Sequence, residues 1–267
     1  MLSYRDIDCG LRKLGLEETT PVIVHTSLKA FGEVRGGAET MLGALLANFN
    51  AVMMPAFTYK TMIVPEAGPE NNGIIYGSGR DRNRMAIPFD INMPADNLMG
   101  ILPETLRREP EAKRSSHPIL SFTGIGVETA LDAQTLKDPL APISILARKD
   151  AWILLLGVDH SVNTSIHYGE KLAGRRQFVR WALGKNEIIE CPSFPGCSNG
   201  FNQLEMAVSG LTVRVNIGSA EVQAIPLMPI LDIAIEMISD DHQALLCNNP
   251  ECERCRVVRT AGTSPTP

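Results

Sequence analysis

The chain has 267 residues, 44% hydrophobic and 21% charged, with a net charge of −5. That balance fits a globular protein long enough to bury a sizeable core without disulfides. It has no lysine–arginine block and no apolar run near the ~18 residues of a membrane helix, so neither nucleic acid nor membrane is an expected partner.

The N-terminal stretch MLSYRDIDCGLRKLG lacks the apolar core and small-residue cleavage site of a secretory signal. The expected location is therefore cytoplasmic, with the six cysteines reduced. Residues Ser3 to Gly15 read as a helix with Leu11 and Leu14 on one face. PVIVHTSL reads as a strand, Gly36-Gly37 opens the helix AETMLGALLANF, and AVMMPAF is a second strand. Strand, helix, strand is a βαβ unit and implies parallel pairing.

From Thr58 to about Leu98 the chain is rich in Gly, Pro and Asn, a long loop of the kind that carries function. MGILPETLRR is a short helix, and ILSFTGIG and AWILLLGV are strands. SIHYGEKLAGRRQFVRW carries a helical pattern, LTVRVNIG a strand pattern and PILDIAIEMI a helical one. No internal repeat or linker appears. The expected organisation is one domain over 1–267, with a less regular portion from about 186 that contains most of the cysteines.

Three stretches carry chemistry. NTSIHYGE follows a buried strand, and ligands bind outside the carboxyl ends of parallel strands. Thr164 or Ser165 can cap the helix that begins there. His167 and Glu170, at i and i+3, share one face. The positive end of the helix favours a neutral imidazole, the form a general base needs. VHTSLKAFGEVRGGAET is a glycine-bearing turn into a helix, with Lys29 and Arg35 nearby, and suits a phosphate contact. KRSSHPILSF places Ser115 and His117 before a proline in a turn. Cys191 and Cys197, with Cys247, Cys252 and Cys255, form two thiol clusters that could hold zinc. Their spacing is not a pair of CxxC motifs, and no metal is assigned.

The motifs VHTSLKAFGEVRGGAE, MGILPETLRREPEAKRSSHPILSFTGIG and DPLAPISILARKDAWILLLGVDHSVNTSIHYGE resemble, in order from about Leu14 to Ala173, the aminoglycoside 3-N-acetyltransferase family. The resemblance implies a three-layer α/β/α sandwich around a mixed, largely parallel sheet. It implies acetyl-CoA as co-substrate and acetyl transfer to the 3-amine of an aminoglycoside. His167 and Glu170 would be catalytic. Ser27, Leu28, Lys29, Val34, Arg35, Gly36, Gly37, Ser115 and His117 would contact the cofactor.

Asp90 and Asp159 are the candidates for substrate ammonium groups. The order Asp159, His160, Ser161, Val162 departs from the family pattern and leaves open which carboxylate orients His167. The absence of cysteine from these motifs points to direct transfer in a ternary complex. The rival readings are acetylation of another amino metabolite and a non-catalytic, metal-stabilised CoA-binding module. The expected assembly is a monomer or homodimer.

Overall fold

The computed structural model describes residues 1–261. Helix α1 (Tyr4–Arg12) opens on a reciprocal capping box: the Ser3 hydroxyl accepts from the Asp6 amide, and the Asp6 carboxylate accepts from the Ser3 amide. It is followed by β1 (Val22–Thr26), α2 (Gly37–Asn48), β2 (Val52–Pro55), β3 (Met62–Ile63), α3 (Arg80–Met85) and α4 (Ile101–Arg107). Next come β4 (Lys113–Arg114), β5 (Phe122–Ile125), α5 (Glu128–Asp132), α6 (Ala141–Ala147), β6 (Trp152–Leu156) and α7 (Ile166–Leu172). The chain then forms β7 (Phe178–Leu183), β8 (Ile188–Phe194), β9 (Val213–Ile217), β10 (Ala220–Pro226), α8 (Leu227–Asp240) and α9 (Glu253–Ala261).

Among the described residues the strands make a seven-stranded sheet, β4-β5-β2-β1-β6-β10-β9, and a three-stranded sheet, β3-β7-β8. The expected βαβ unit is present, with β1 parallel to both β2 and β6. Parallel pairing stops there, so the sheet is mixed but not largely parallel. The β2–β5, β5–β4, β6–β10 and β10–β9 pairs are antiparallel. The outer strands return by short connections. A two-residue turn, Gly218-Ser219, is too short for a parallel crossover between β9 and β10.

The main sheet is buried on both faces, which is why its central strands are mostly apolar, with His25 and Thr26 at the end of β1 the exceptions. Side chains alternate between two cores. Val22, Val24, Leu154 and Leu156 pack with Ile7 of α1, Leu42 and Leu45 of α2 and Leu102 of α4. Ile23, Ile153 and Leu155 face the other way, toward Leu131 of α5, Ile143 of α6, Ile166 of α7 and Leu231 of α8. This is the expected sandwich.

Two segments differ from the pattern-based expectation. The helical reading of SIHYGEKLAGRRQFVRW ends at Leu172, because Gly174 turns the chain at φ +75° and Phe178–Leu183 pairs as β7. AEVQAIP, without a clear pattern of its own, becomes β10 by pairing along all of β6. The long 58–98 segment is pinned by its asparagines. Asn72 pairs with the Val179 backbone, and Asn83 with that of Val64.

Candidate active site

Strands β1 and β6 lie side by side and parallel, yet the helices after them pack on opposite faces: α2 with one core, α7 with the other. A crevice opens where successive connections diverge in this way. Gly157, at φ +67°, ends β6 there. A Cβ at this position would come within 2.4 Å of the Ala30 methyl, so only glycine lets the two strand ends approach. The resulting cleft has a volume of about 1360 Å³, enough for a donor and an acceptor together. Its lining includes Ser27, Leu28, Lys29, Thr164 and His167 at the ends of β1 and β6. Residues of the 58–98 segment, with Arg180, Phe194, Pro195, Gly196, Ser198, Asn199 and Arg254, complete it.

His167 is in the first turn of α7. Its Nδ1 lies 2.6 Å from Glu170 Oε2, the contact that the i, i+3 spacing anticipated. The other carboxylate oxygen accepts from Arg175 Nη1 at 2.8 Å, and Arg175 Nη2 donates to the carbonyls of His242 and Ala244. Glu170 and Arg175 are buried. This chain of contacts identifies the partner of His167 that the sequence left open. Glu170 faces Arg175 as an ion pair and engages Nδ1 of His167, which leaves Nε2 as the ring nitrogen free of that contact on a residue that lines the cleft. The ring is held edge-on by Phe201, with centroids 4.8 Å apart. Nothing in the local pattern marks Arg175 or Phe201. Arg175 follows the Gly174 turn, and Phe201 lies 34 positions beyond His167.

The helix start is closed differently from the expectation. Ser165 sits in the helical region at φ −63°, so its hydroxyl makes no cap. The Asn163 side chain accepts from the Ser165 amide instead.

The structure joins some of the expected site residues and separates others. Ser27, Leu28 and Lys29 line the cleft, whereas Val34, Arg35, Gly36 and Gly37 do not. The Arg35 amide donates to Leu2 O, and Val34 bridges Leu2, so this turn anchors the N-terminus. Ser115 and His117 do not line the cleft either. The Ser115 hydroxyl accepts from the Phe122 amide, and His117 Nδ1 accepts from the amides of Ile119 and Leu120. Their polar atoms satisfy the backbone of their own turn. Burial lowers the His117 pKa to about 4, so it is neutral.

Asp90 and Asp159 also lie off the cleft lining. Asp90 pairs with Lys185, and Asp159 accepts from Ser161 and Asn202. The sequence reading passed over His25, which lines the cleft. It is buried, and desolvation with the nearby His160 lowers its pKa to about 3.

Among the described residues the cleft lining carries Lys29, Arg82, Arg108, Arg180 and Arg254 but one carboxylate, Glu104. Burial pushes the Glu104 pKa up, but bonds from Arg107, the Ala95 amide and Arg108 outweigh it and hold the group at about 2. Arg180 is buried against the rings of Phe178 and Phe194 and donates to the carbonyls of Asn72 and Val179.

A family profile described as Aminoglycoside 3-N-acetyltransferase matches residues 23–239. Aminoglycoside N(3)-acetyltransferase VII of Streptomyces paromomycinus is 37% identical over 172 residues, which span 61% of this chain and 58% of that protein. Aminoglycoside N(3)-acetyltransferase III of Salmonella sp is 32% identical over 225 residues, 73% of this chain and 76% of that one. The crystal structure of aminoglycoside acetyltransferase AAC(3)-IVa, as the apoenzyme, superposes with a TM-score of 0.76. That match is 22% identical and covers 97% of each chain.

Proposed function

The chain belongs to the aminoglycoside 3-N-acetyltransferase family, and on that premise we propose that it acetylates an aminoglycoside amine with His167 as general base. The observation that carries this reading is the buried Arg175–Glu170–His167 series, which ends in a ring nitrogen at a cleft large enough for both substrates. Acetyl-CoA is the donor. Ser27, Leu28 and Lys29 contribute one side of its binding surface, and Lys29 offers charge to its phosphates.

The acceptor amine loses a proton to His167 Nε2 as its nitrogen bonds to the acetyl carbon and the carbon–sulfur bond breaks. The imidazolium then returns the proton to the departing thiolate. Glu170 steadies the imidazolium through Nδ1, and Arg175 holds Glu170 in place. Proton transfer of this kind contributes roughly 10²–10⁴-fold, and holding amine and thioester together adds to it. Thr164, which lines the cleft with His167, offers a hydroxyl as a donor to the carbonyl oxygen.

A second reading, acetylation of another amine, rests on one observation. Arg82, Arg180 and Arg254 line the cleft and form no ion pair among the described residues, while Glu104 is already engaged. A polycation gains little from such a wall. An amine that also carries a carboxylate or phosphate would pair with it.

One assay separates the readings: thiol release from acetyl-CoA, across aminoglycosides with and without the deoxystreptamine 3-amine and across anionic amino sugars. The expected result is turnover of the aminoglycosides that carry the 3-amine, with one acetyl group on that nitrogen by NMR. Turnover confined to anionic amines would transfer the chemistry to the second reading. No turnover with any amine would overturn both.

A further inference from the structure

The sequence shows five cysteines in two groups; folding selects four of them. Cys197, Cys247, Cys252 and Cys255 bring their sulfur atoms within 4.8 Å of one another. Cys191 is left out, on β8, with its thiol against the Ile189 carbonyl. Cys9 is exposed on α1. Three of the four clustered cysteines are buried and the fourth is half-buried.

Disulfide pairing would make two short sulfur contacts of about 2.05 Å and four longer ones. Here the sulfurs of Cys247 and Cys255 are 3.5 Å apart, and every pair is close. A tetrahedral ion with Zn–S bonds of about 2.3 Å spaces its sulfurs by roughly 3.8 Å.

The surroundings fit as well. The Asn199 amide lies near the Cys197 sulfur, and the Asn249 amide near that of Cys247. Metal-bound thiolates are steadied by such donors. Arg259 donates to the Cys247 carbonyl, and Arg254 lies between two of the cysteines. Both place positive charge beside what would be four thiolates. Four sulfur ligands with no open position make a structural site and favour zinc.

We propose that Cys197, Cys247, Cys252 and Cys255 bind one structural zinc ion that clamps α9 to the 196–199 segment of the cleft wall. The segment with Cys197 includes Gly196, Ser198 and Asn199, which line the cleft. Arg254 on α9 lines it too and donates to the Gly196 carbonyl at 2.7 Å. The ion thus joins two pieces of one wall that are more than 50 positions apart in the chain.

The test is metal analysis of the full chain purified anaerobically, followed by cobalt exchange. The expected result is about one zinc per chain. Cobalt should add a thiolate-to-metal charge-transfer absorption in the near ultraviolet and intense ligand-field bands in the red. Losing even an outer-shell partner weakens such sites roughly 10–100-fold, so Cys252→Ser should lower affinity at least ~10-fold in competition with a chelator. Cys9→Ser and Cys191→Ser should leave it unchanged. If Cys252→Ser does not fold, the cobalt spectrum of the wild type decides. Wild-type protein with four free thiols and no cobalt–thiolate absorption would overturn the assignment. So would two disulfides by mass spectrometry, or loss of the absorption in Cys191→Ser. These readouts are independent of whether any amine is acetylated.

Discussion

The cleft lining comes from two kinds of structure. The part with Ser27 and His167 hangs from the ends of β1 and β6, central strands buried on both faces. The rest is assembled from a long segment, a small antiparallel sheet and helix α9, held by asparagine side chains, arginine–carbonyl bonds and four clustered thiols. The contrast separates two tasks. Chemistry needs atoms held to within tenths of an ångström, and the strand ends provide that. Choice of acceptor needs a wall that can vary without disturbing the sheet.

Acid should break the strand-borne part first, and this is the largest effect expected. His25 on β1 and His117 beside β5 are buried and neutral, with pKa values lowered by desolvation to about 3 and about 4. Above pH 6.5, the ordinary histidine value, they contribute nothing to the pH dependence, because folded and unfolded chains are both neutral. As pH falls below it, the unfolded chain takes up protons that the folded one refuses. Stability then drops by roughly 1.4 kcal/mol per pH unit for each histidine. Denaturant unfolding from pH 7 to pH 4 should show this slope, and His117→Gln should reduce it.

The next effect is at the join between the two parts, where Arg175 ties Glu170 to the carbonyls of His242 and Ala244. Arg175→Met leaves a buried carboxylate without its partner. It should cost about 3–5 kcal/mol in chemical denaturation. A loss under ~1 kcal/mol would mean that the carboxylate is solvated and that the two parts are not coupled through it.

How far the sequence discloses each part follows from the range of the contacts. The βαβ unit and the histidine–glutamate pair were readable because they depend on local spacing, whereas the three-layer sandwich followed from the family resemblance. Phe201 and the four-thiol cluster depend on chain segments tens of residues apart, and Arg175, five positions from Glu170, meets it only because the chain turns at Gly174; no periodicity encodes either. QFVRW passed as helix because its strand character comes from pairing with β8. Ser115 and His117 look like ligands in sequence because turns that satisfy their own amides use the same polar residues as binding sites. Asp90 and Asp159 lie off the cleft lining for a similar reason, being turn and ion-pair carboxylates.

Smaller changes sharpen the contrast. Phe201→Leu removes the ring that holds His167 edge-on. An aromatic contact of this kind is worth ~0.5–1.5 kcal/mol, so kcat/KM should fall by up to roughly 10-fold while acetyl-CoA affinity, read by calorimetry, stays near wild type. Lys29→Ala should do the opposite. It should raise the KM for acetyl-CoA by at most about 5-fold, because an exposed charge contact is worth ~1 kcal/mol or less, and the effect should shrink in high salt.

The central claim is that the buried Arg175–Glu170 pair holds His167 as the base, and steady-state kinetics of His167→Ala beside His117→Ala test it most directly. The account predicts that His167→Ala lowers kcat by roughly 10²-fold or more with acetyl-CoA affinity retained, since the loss falls on the transition state. It predicts that His117→Ala, in folded protein, keeps most of its turnover. If His167→Ala instead kept its turnover and His117→Ala lost it, the base would belong to the turn before β5, and the account would be contradicted.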